Sequence, residues 1–277
     1  MTPEPHNPEP HNPETPRSDP HQQLLTLAST LAVQAGGMIR SARQLGTPDA
    51  STKSSDVDMV TEFDRAAERL IVDGLIASRP SDGIIGEEGS SRSGTTGVVW
   101  HIDPIDGTTN FLYALPGYAV SIGAIDQQGP LLGAVYIPAT SELFTAIRGG
   151  GAFLNGHRIH CSLTTELRLA LVATGLAYMP QRRAVQMDRL ARVCLATRDI
   201  RRLGAASVDL CYVAAGRLDA YFEEWLSSWD MAAGELIARE AGCLSGSING
   251  GSARPESLLV ANPHLFEPMV TLLNQGS

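Results

Sequence analysis

Apolar residues recur at helical spacing in two stretches near the start of the chain. They are Leu24, Leu27, Leu31, Ala35 and Met38 in the first stretch, and Phe63, Ala67, Leu70, Ile71 and Leu75 in the second. Residues three and four positions apart share one face of a helix. The spacing therefore predicts one amphipathic helix over residues 21–43 and a second that ends before Pro80.

Short apolar runs bounded by turn residues predict strands over most of the remaining chain. In the first half they are 98–102, three strands between 119 and 147, and a hairpin over 148–156. A short run over 83–86 leads into Glu87-Glu88. In the second half, strands near 169–173, 200–203, 218–222 and 258–261 alternate with helices near 186–196, from 206, after 230 and from 264. This order predicts a mixed α/β fold class, α+β in its first half, with helices sandwiching mixed sheets.

The first twenty residues have a different character. Pro-Glu-Pro-His-Asn stands at 3–7 and again at 8–12, and further prolines follow. Such a segment has little apolar surface to bury, which predicts a disordered tail over residues 1–20. Residues 21–277 are then expected to form a single folded domain.

Composition narrows the classes of partner. The 277 residues carry a formal net charge of −9, which argues against nucleic acid and anionic membranes as partners. The four cysteines form no CxxC pair, which favours a reduced, cytoplasmic setting over a zinc site or a disulfide framework. An acidic protein that binds an anionic substrate needs local positive charge, and a metal ion supplies it.

The chemistry centres on the hexapeptide Asp103-Pro104-Ile105-Asp106-Gly107-Thr108, which follows a predicted buried strand. Backbone amides at the helix start after Asp106 suit a phosphate, but two adjacent carboxylates would repel it. Mg²⁺ prefers carboxylate oxygens and removes that conflict. The pattern predicts metal-assisted hydrolysis of a phosphate ester. The structural alternative is a simple turn followed by a helix that Thr108 caps.

Four stretches, in this order, resemble the motifs of the inositol monophosphatase family. They are residues 53–64, Ile85-Gly86-Glu87-Glu88, residues 100–111 and Trp229-Asp230-Met231-Ala232-Ala233-Gly234. The resemblance covers about residues 22–270. It implies a layered αβαβα sandwich of the inositol monophosphatase and sugar phosphatase type, whose first half runs to about residue 165.

The same resemblance implies a set of metal ligands. Glu87, Asp103 and the carbonyl of Ile105 would hold one Mg²⁺, and Asp103, Asp106 and Asp230 a second. A third ion would lie near Glu87, which gives two or three ions per site. Lys53 would balance charge beside them.

The resemblance also implies catalytic and substrate-binding roles. Thr108, hydrogen-bonded to Asp64, would orient and deprotonate the attacking water, with Glu87 as a further catalytic residue. The residues expected to contact the substrate are Asp106, Gly107, Thr108, Gly204, Ala205, Ala206, Glu223 and Asp230.

Residue-level alternatives stay open for four of these side chains. Asp230 could only cap its helix, since aspartate is favoured there. Glu87 could be a solvated turn residue and Asp64 a surface charge. The role of Glu223 could belong to its neighbour Glu224.

The spacing of the two aspartates in the hexapeptide separates this chain from another class of phosphatase. A haloacid-dehalogenase-type phosphatase carries Asp-x-Asp-Gly-Thr, whereas this chain has one more residue between the aspartates. The family also includes phosphatases of fructose 1,6-bisphosphate, histidinol phosphate and adenosine 3′,5′-bisphosphate. The segment 109–111, together with Gly204–Ala206 and Glu223, favours the inositol 1-phosphate branch. The family resemblance implies Li⁺ sensitivity and a homodimer. A regulatory, protein-binding role on the same fold is the non-enzymatic alternative.

Overall fold

The computed structural model describes residues 19–45, 50–52 and 59–275. The predicted disordered tail before residue 19 and the predicted charge-balancing Lys53 lie outside the described residues. Pro20, the last residue of the predicted tail, is the first residue of a helix. Proline suits that position because the first amides of a helix have no intrahelical acceptor.

Seven α-helices form within the described residues. They are α1 (Pro20–Leu45), α2 (Glu62–Ser78), α3 (Thr108–Leu112), α4 (Pro180–Ala196), α5 (Ala206–Ala214), α6 (Ser228–Glu240) and α7 (Phe266–Leu273). Each predicted helix is present, but α4 begins at Pro180 rather than Gln186, because its first turns are polar and exposed and give no periodic signal. None of the described helices has the length and apolar character to cross a membrane.

Fifteen strands are present in the described part of the chain. The first ten are β1 (Ala50–Thr52), β2 (Met59–Thr61), β3 (Gly83–Gly86), β4 (Ser91–Arg92), β5 (Val99–Asp106), β6 (Ala119–Asp126), β7 (Gly129–Ile137), β8 (Glu142–Ile147), β9 (Gly151–Leu154) and β10 (His157–Ile159). The last five are β11 (Leu171–Thr174), β12 (Asp199–Arg201), β13 (Ala220–Glu223), β14 (Leu244–Gly246) and β15 (Leu258–Ala261). The short strands β1, β2, β3, β4 and β14 were not predicted, since two to four residues are too few to show alternation.

The strands form a hairpin and two larger sheets. Strands β1 and β2 make the hairpin, and the eight-stranded sheet has the order β10-β9-β8-β7-β6-β5-β3-β4, with only β3 and β5 parallel. The five-stranded sheet has the order β12-β11-β13-β15-β14, in which β11 runs parallel to both its neighbours. Both sheets are therefore mixed, as predicted.

Alternating burial along the strands shows how the layers stack. On β7, Ala134 and Tyr136 pack with α1 and α2, whereas Val135 and Ile137 pack with α5 and α6. On β13, Tyr221 faces the α5–α6 side and Phe222 faces α4 and α7. Helices α5 and α6 thus form a central layer between the two sheets. The architecture is the expected αβαβα sandwich.

Helix α6 lies unusually close to the larger sheet. A Cβ added to Gly133 would lie 2.6 Å from the carbonyl oxygen of Ala233, and one added to Gly123 would lie 2.9 Å from the Cβ of Ala232. Only hydrogen at these two glycine positions permits this approach. The glycines therefore set the position of α6, whose first turn carries Asp230.

We expect Gly133→Ala to lower the free energy of unfolding by about 1–3 kcal/mol, because the added methyl group must push α6 away from the sheet. Gly37→Ala is the matched control, since its added Cβ meets no atom within 4 Å. In the interior of α1 that change should raise stability by about 0.5–1 kcal/mol. Urea unfolding measures both; equal stability of Gly133→Ala and the unmodified protein would refute the close-packing argument.

Candidate active site

A bulge at the end of β5 places Asp103 and Asp106 on the same side of the sheet. Asp103 pairs with Ser121 of β6 and Asp106 pairs with Ala119, so three steps along β5 match two along β6. Side chains three apart on a regular strand point to opposite faces, and the extra residue of a bulge reverses this. The prediction that the strand ends at Ile102 was wrong. Strand β5 runs to Asp106, because its pairing with β6 resumes after the bulge.

The two aspartates open into a cavity of about 490 Å³. It lies where the end of β5, the first turns of α5 and α6, and the end of β13 meet. The predicted site residues that line it are Glu87, Asp103, Ile105, Asp106, Gly107, Thr108, Gly204, Ala205, Ala206, Glu223 and Asp230. Asp64 is a described member of the predicted set that does not line the cavity. It lies behind Thr108, to which it is hydrogen-bonded.

Asp106 is fixed by the first turn of α5. Its Oδ1 accepts a hydrogen bond from the amide of Ala206 at 3.2 Å, and its Oδ2 accepts from the amide of Ser207 at 2.6 Å. The Ser207 hydroxyl donates to the same Oδ2 at 2.5 Å. Ser207 was not predicted, although a hydroxyl residue directly after Gly204-Ala205-Ala206 is a signal that could have identified it.

Asp64 and Asp230 occupy equivalent positions, the third residue of α2 and of α6. The amide of Thr61 donates to Oδ2 of Asp64 at 2.8 Å, and the amide of Ser227 donates to Oδ2 of Asp230 at 2.6 Å. Asp230 therefore does cap its helix, as the alternative held, but it also lines the cavity. Asp64 is fully buried, so it is not a surface charge.

Thr108 connects Asp64 to the hexapeptide. Its Oγ1 lies 3.2 Å from Oδ1 of Asp64 and 3.1 Å from the carbonyl oxygen of Ile105. A hydroxyl has a single proton, so these two acceptors share or compete for it. The residue that caps α3 is Gly107, with φ at 87°, and the alternative in which Thr108 only caps the helix is wrong.

Burial, reinforced by repulsion between neighbouring carboxylates, dominates the electrostatics of the cavity. Burial, followed by the charges of Glu87, Asp106 and Asp230, raises the pKa of Asp103 well above its ordinary value. Burial raises the pKa of Asp106 to about 6, although hydrogen bonds from Ser207 and Ala206 act in the opposite direction. Asp230 borders the open cavity but is enclosed on its other sides, and burial and the charge of Asp106 raise its pKa as well.

The oxygen donors of the cavity suit a hard divalent cation. Within the described residues, no three acidic, histidine or cysteine side chains already surround one point closely enough to hold an ion. Mg²⁺ typically takes one or two carboxylates and completes its octahedron with water and substrate phosphate oxygens. The spaced carboxylates beside the carbonyl of Ile105 match this coordination preference of Mg²⁺.

Glu223 and Glu224 take different roles. Glu224 forms an ion pair with Arg189 at 2.6 Å. Glu223 accepts a hydrogen bond from the hydroxyl of Tyr221, and burial raises its pKa to about 7. Glu224 is therefore committed to an ion pair, which favours Glu223 for the predicted role.

Asp209 is a further acidic residue of the cavity that the sequence did not reveal. It lies on α5 and is 1% exposed, and one of its oxygens lacks a hydrogen-bond partner. Burial, and then the charge of Glu223, raises the pKa of Asp209 well above its ordinary value. The guanidinium of Arg202 partly offsets both carboxylates.

A second hollow, of about 680 Å³, lies near the start of α1. Its charged side chains are largely committed to structural pairs. Arg79 binds Asp82 at 2.9 Å, and Asp126 binds Arg148 at 2.6 Å. This hollow lacks a convergent set of acids and is not the candidate site.

Comparison with known proteins places the chain among phosphatases. The sequence matches the model of the inositol monophosphatase family over residues 21–275. An inositol-1-monophosphatase of Rhizobium meliloti (strain 1021) is 45% identical over 217 residues, 76% of this chain and 81% of the relative. The Nus factor SuhB of Escherichia coli (strain K12) is 41% identical over 257 residues, 89% of this chain and 94% of the relative.

A solved structure supports the same grouping. The extragenic suppressor protein suhB from Bartonella henselae superposes with a TM-score of 0.88 at 35% identity. The superposition covers 92% of this chain and 100% of that chain. It therefore includes both sheets and the cavity between them.

The raised pKa values predict how stability depends on pH when metal ions are chelated. An aspartate whose pKa rises on folding lowers the free energy of unfolding as pH increases from about 4 through the folded-state value. We expect Asp103→Asn to be more stable than the unmodified protein at pH 8, by about 1 kcal/mol or more, with a smaller difference at pH 5.

Urea unfolding in EDTA at the two pH values measures this difference. Burial lowers the pKa of His101, which gives a dependence of opposite sign. Both proteins contain His101, so the comparison cancels it. An equal difference at pH 5 and pH 8 would show that Asp103 is not held at a raised pKa.

Proposed function

Because the chain belongs to the inositol monophosphatase family, which is a phosphatase family, we propose that it releases phosphate from inositol 1-phosphate with Mg²⁺ as cofactor. The observation that carries the proposal is the convergence of Glu87, Asp103, Asp106 and Asp230 on one cavity. The Thr108–Asp64 hydrogen bond adjoins the same cavity. A cluster of buried and half-buried acids beside a hydroxyl–carboxylate pair suits phosphoester hydrolysis.

The metal assignments are those that the resemblance to the family implies, and the cavity brings their residues together. Glu87, Asp103 and the carbonyl of Ile105 would hold one Mg²⁺, and Asp103, Asp106 and Asp230 another, with two or three ions in all. Bound Mg²⁺ supplies charge neutralisation, polarises the phosphoryl group and lowers the pKa of water. The predicted role of Lys53 in balancing charge remains part of the proposal.

Thr108 and Asp64 would handle the proton of the attacking water. The Thr108 hydroxyl donates to Oδ1 of Asp64 at 3.2 Å, which leaves its lone pairs free to accept a hydrogen bond from water. As the water oxygen bonds to phosphorus, its proton passes to the Thr108 oxygen and the hydroxyl proton moves to Asp64. The bond from phosphorus to the substrate oxygen breaks, and that oxygen leaves as the alcohol after taking a proton from solvent water. Asp64 is buried and keeps its geometry through Thr61.

The phosphate and the polyol would bind at opposite ends of the cavity. The first amides of α3, at Gly107 and Thr108, have no acceptor within the helix and suit phosphate oxygens. Since α3 has only five residues, these local amides rather than a long helix dipole provide the attraction. Glu223, Asp230 and the backbone of 204–206 would contact the hydroxyl groups.

Other substrates and roles belong to the same proposal as alternatives. Fructose 1,6-bisphosphate, histidinol phosphate and adenosine 3′,5′-bisphosphate would use the same chemistry. The relative named Nus factor keeps a regulatory protein-binding role open. The proposal also includes inhibition by Li⁺ and assembly as a homodimer. It places the protein in the cytoplasm, which the four free cysteines support.

We expect the purified protein to release phosphate from inositol 1-phosphate faster than from the three alternative substrates, and only with Mg²⁺. Asp103→Asn and Asp230→Asn should each lower kcat by at least roughly 100-fold, because each removes a metal-ligand charge. Asp73→Asn, an exposed carboxylate on α2, is the matched control. Comparable turnover by either site variant would refute the metal assignment, and no phosphate release from any substrate would refute the enzyme.

Thr108→Ala should lower kcat by about 10²–10⁴-fold, the usual contribution of a positioned proton acceptor. Thr108→Ser retains the hydroxyl and should keep most of the activity. Calorimetric titration with MgCl₂ should show similar Mg²⁺ affinity in both variants. If Thr108→Ala retained the kcat of the Ser variant, the proton role of Thr108 would be wrong.

A further inference from the structure

Glu68 is a buried carboxylate that the proposed reaction does not use directly. It lies on α2 one turn after Asp64 and is 2% exposed. Its Oε2 accepts a hydrogen bond from the amide of Glu88 at 2.8 Å, and its Oε1 accepts from the amide of Ser90 at 3.0 Å. Hydrogen bonds from amides to a carboxylate are charge-assisted and stronger than those to neutral oxygens. Both oxygens of Glu68 thus hold the loop that follows β3.

That loop carries Glu87 and is fixed from two sides. The amide of Glu87 donates to the carbonyl of Ile102 on β5 at 3.1 Å, and the amide of Gly86 donates to the carbonyl of Ser90 at 2.7 Å. Glu68 supplies the second side. The backbone on either side of Glu87 is therefore anchored before any ligand binds.

The glycine of the Ile-Gly-Glu-Glu stretch has a steric explanation in this contact. A Cβ added to Gly86 would lie 2.4 Å from Oε2 of Glu68 and 2.6 Å from its Cδ. These separations are far shorter than any real contact. A side chain at position 86 would have to displace the Glu68 carboxylate, which passes over Gly86 to reach the amides beyond.

We propose that Glu68 is a positioning residue for the metal site, holding the 86–90 loop so that the carboxylate of Glu87 faces Asp103. The inference rests on the proposed function, since it assigns Glu87 as a ligand of Mg²⁺. Glu87 already lies close enough to Asp103 for its charge to raise the pKa of Asp103, as the second cause behind burial. Through Asp64 and Glu68, helix α2 fixes both the proton acceptor and a metal ligand.

The test compares Mg²⁺ binding by Glu68→Gln with that of the unmodified protein. Glutamine keeps the length of the side chain, but its NH₂ group faces one of the two amides and leaves that donor unpaired. We expect the Kd for Mg²⁺, measured by titration calorimetry with MgCl₂ alone, to rise by roughly 10-fold or more. At saturating Mg²⁺, kcat on inositol 1-phosphate should return close to that of the unmodified protein.

Asp73→Asn removes a carboxylate from the same helix without touching the loop, and it should bind Mg²⁺ as the unmodified protein does. Equal Kd values for Glu68→Gln and Asp73→Asn would overturn the positioning role while the phosphatase stands. Absence of Mg²⁺ binding by the unmodified protein would overturn both the role and the proposed function.

Glu68→Asp is the second variant, to be used if circular dichroism shows that Glu68→Gln does not fold. Aspartate keeps the buried charge but is one methylene too short to reach both amides. It should show the same weakened Mg²⁺ binding, and unchanged affinity in a folded Glu68→Asp protein would overturn the inference.

Discussion

Repulsion among buried carboxylates is the constraint around which the centre of this fold is built. Asp103, Asp106 and Asp230 all have raised pKa values, because the protein removes them from water and holds them together. Each is held by backbone amides: Asp103 by that of Ile105 at 3.0 Å, Asp106 by Ala206 and Ser207, and Asp230 by Ser227. These amides fix the geometry but do not neutralise the charge, so a divalent cation is the natural complement of the site.

The layered architecture explains how side chains from distant parts of the chain reach one cavity. The larger sheet supplies Asp103 and Asp106 at the bulged end of β5, and α2 supplies Asp64 beside them. The central layer supplies Asp230 at the start of α6, and the smaller sheet supplies Glu223 at the end of β13. The close approach of α6 to Gly123 and Gly133 couples packing of the core to the position of a site residue.

Local signals in the sequence were sufficient for most elements and for the acidic hexapeptide, whereas contacts between distant segments were invisible. Periodicity reports which residues share a face, so α1, α2 and the central strands could be predicted. The bulge after Asp103 depends on pairing with β6, and the choice between Glu223 and Glu224 depends on Arg189. The hydroxyl beside Gly204-Ala205-Ala206 could mark Ser207 as a site residue, but not its partner Asp106, which lies about 100 positions away. Glu68 likewise acts on the 86–90 loop, and no local pattern shows that contact.

The far wall of the cavity bears on which phosphate ester fits. Glu223 and Asp209 lie there together, and the charge of Glu223 helps to raise the pKa of Asp209. A second phosphate group in this position would face two acidic side chains, with Arg202 as the cation that offsets them. Glu223, with a pKa of about 7, can both accept and donate hydrogen bonds near neutral pH, which suits an uncharged hydroxyl group. This end of the cavity is therefore an acidic wall that, among the described groups acting on both carboxylates, only Arg202 offsets.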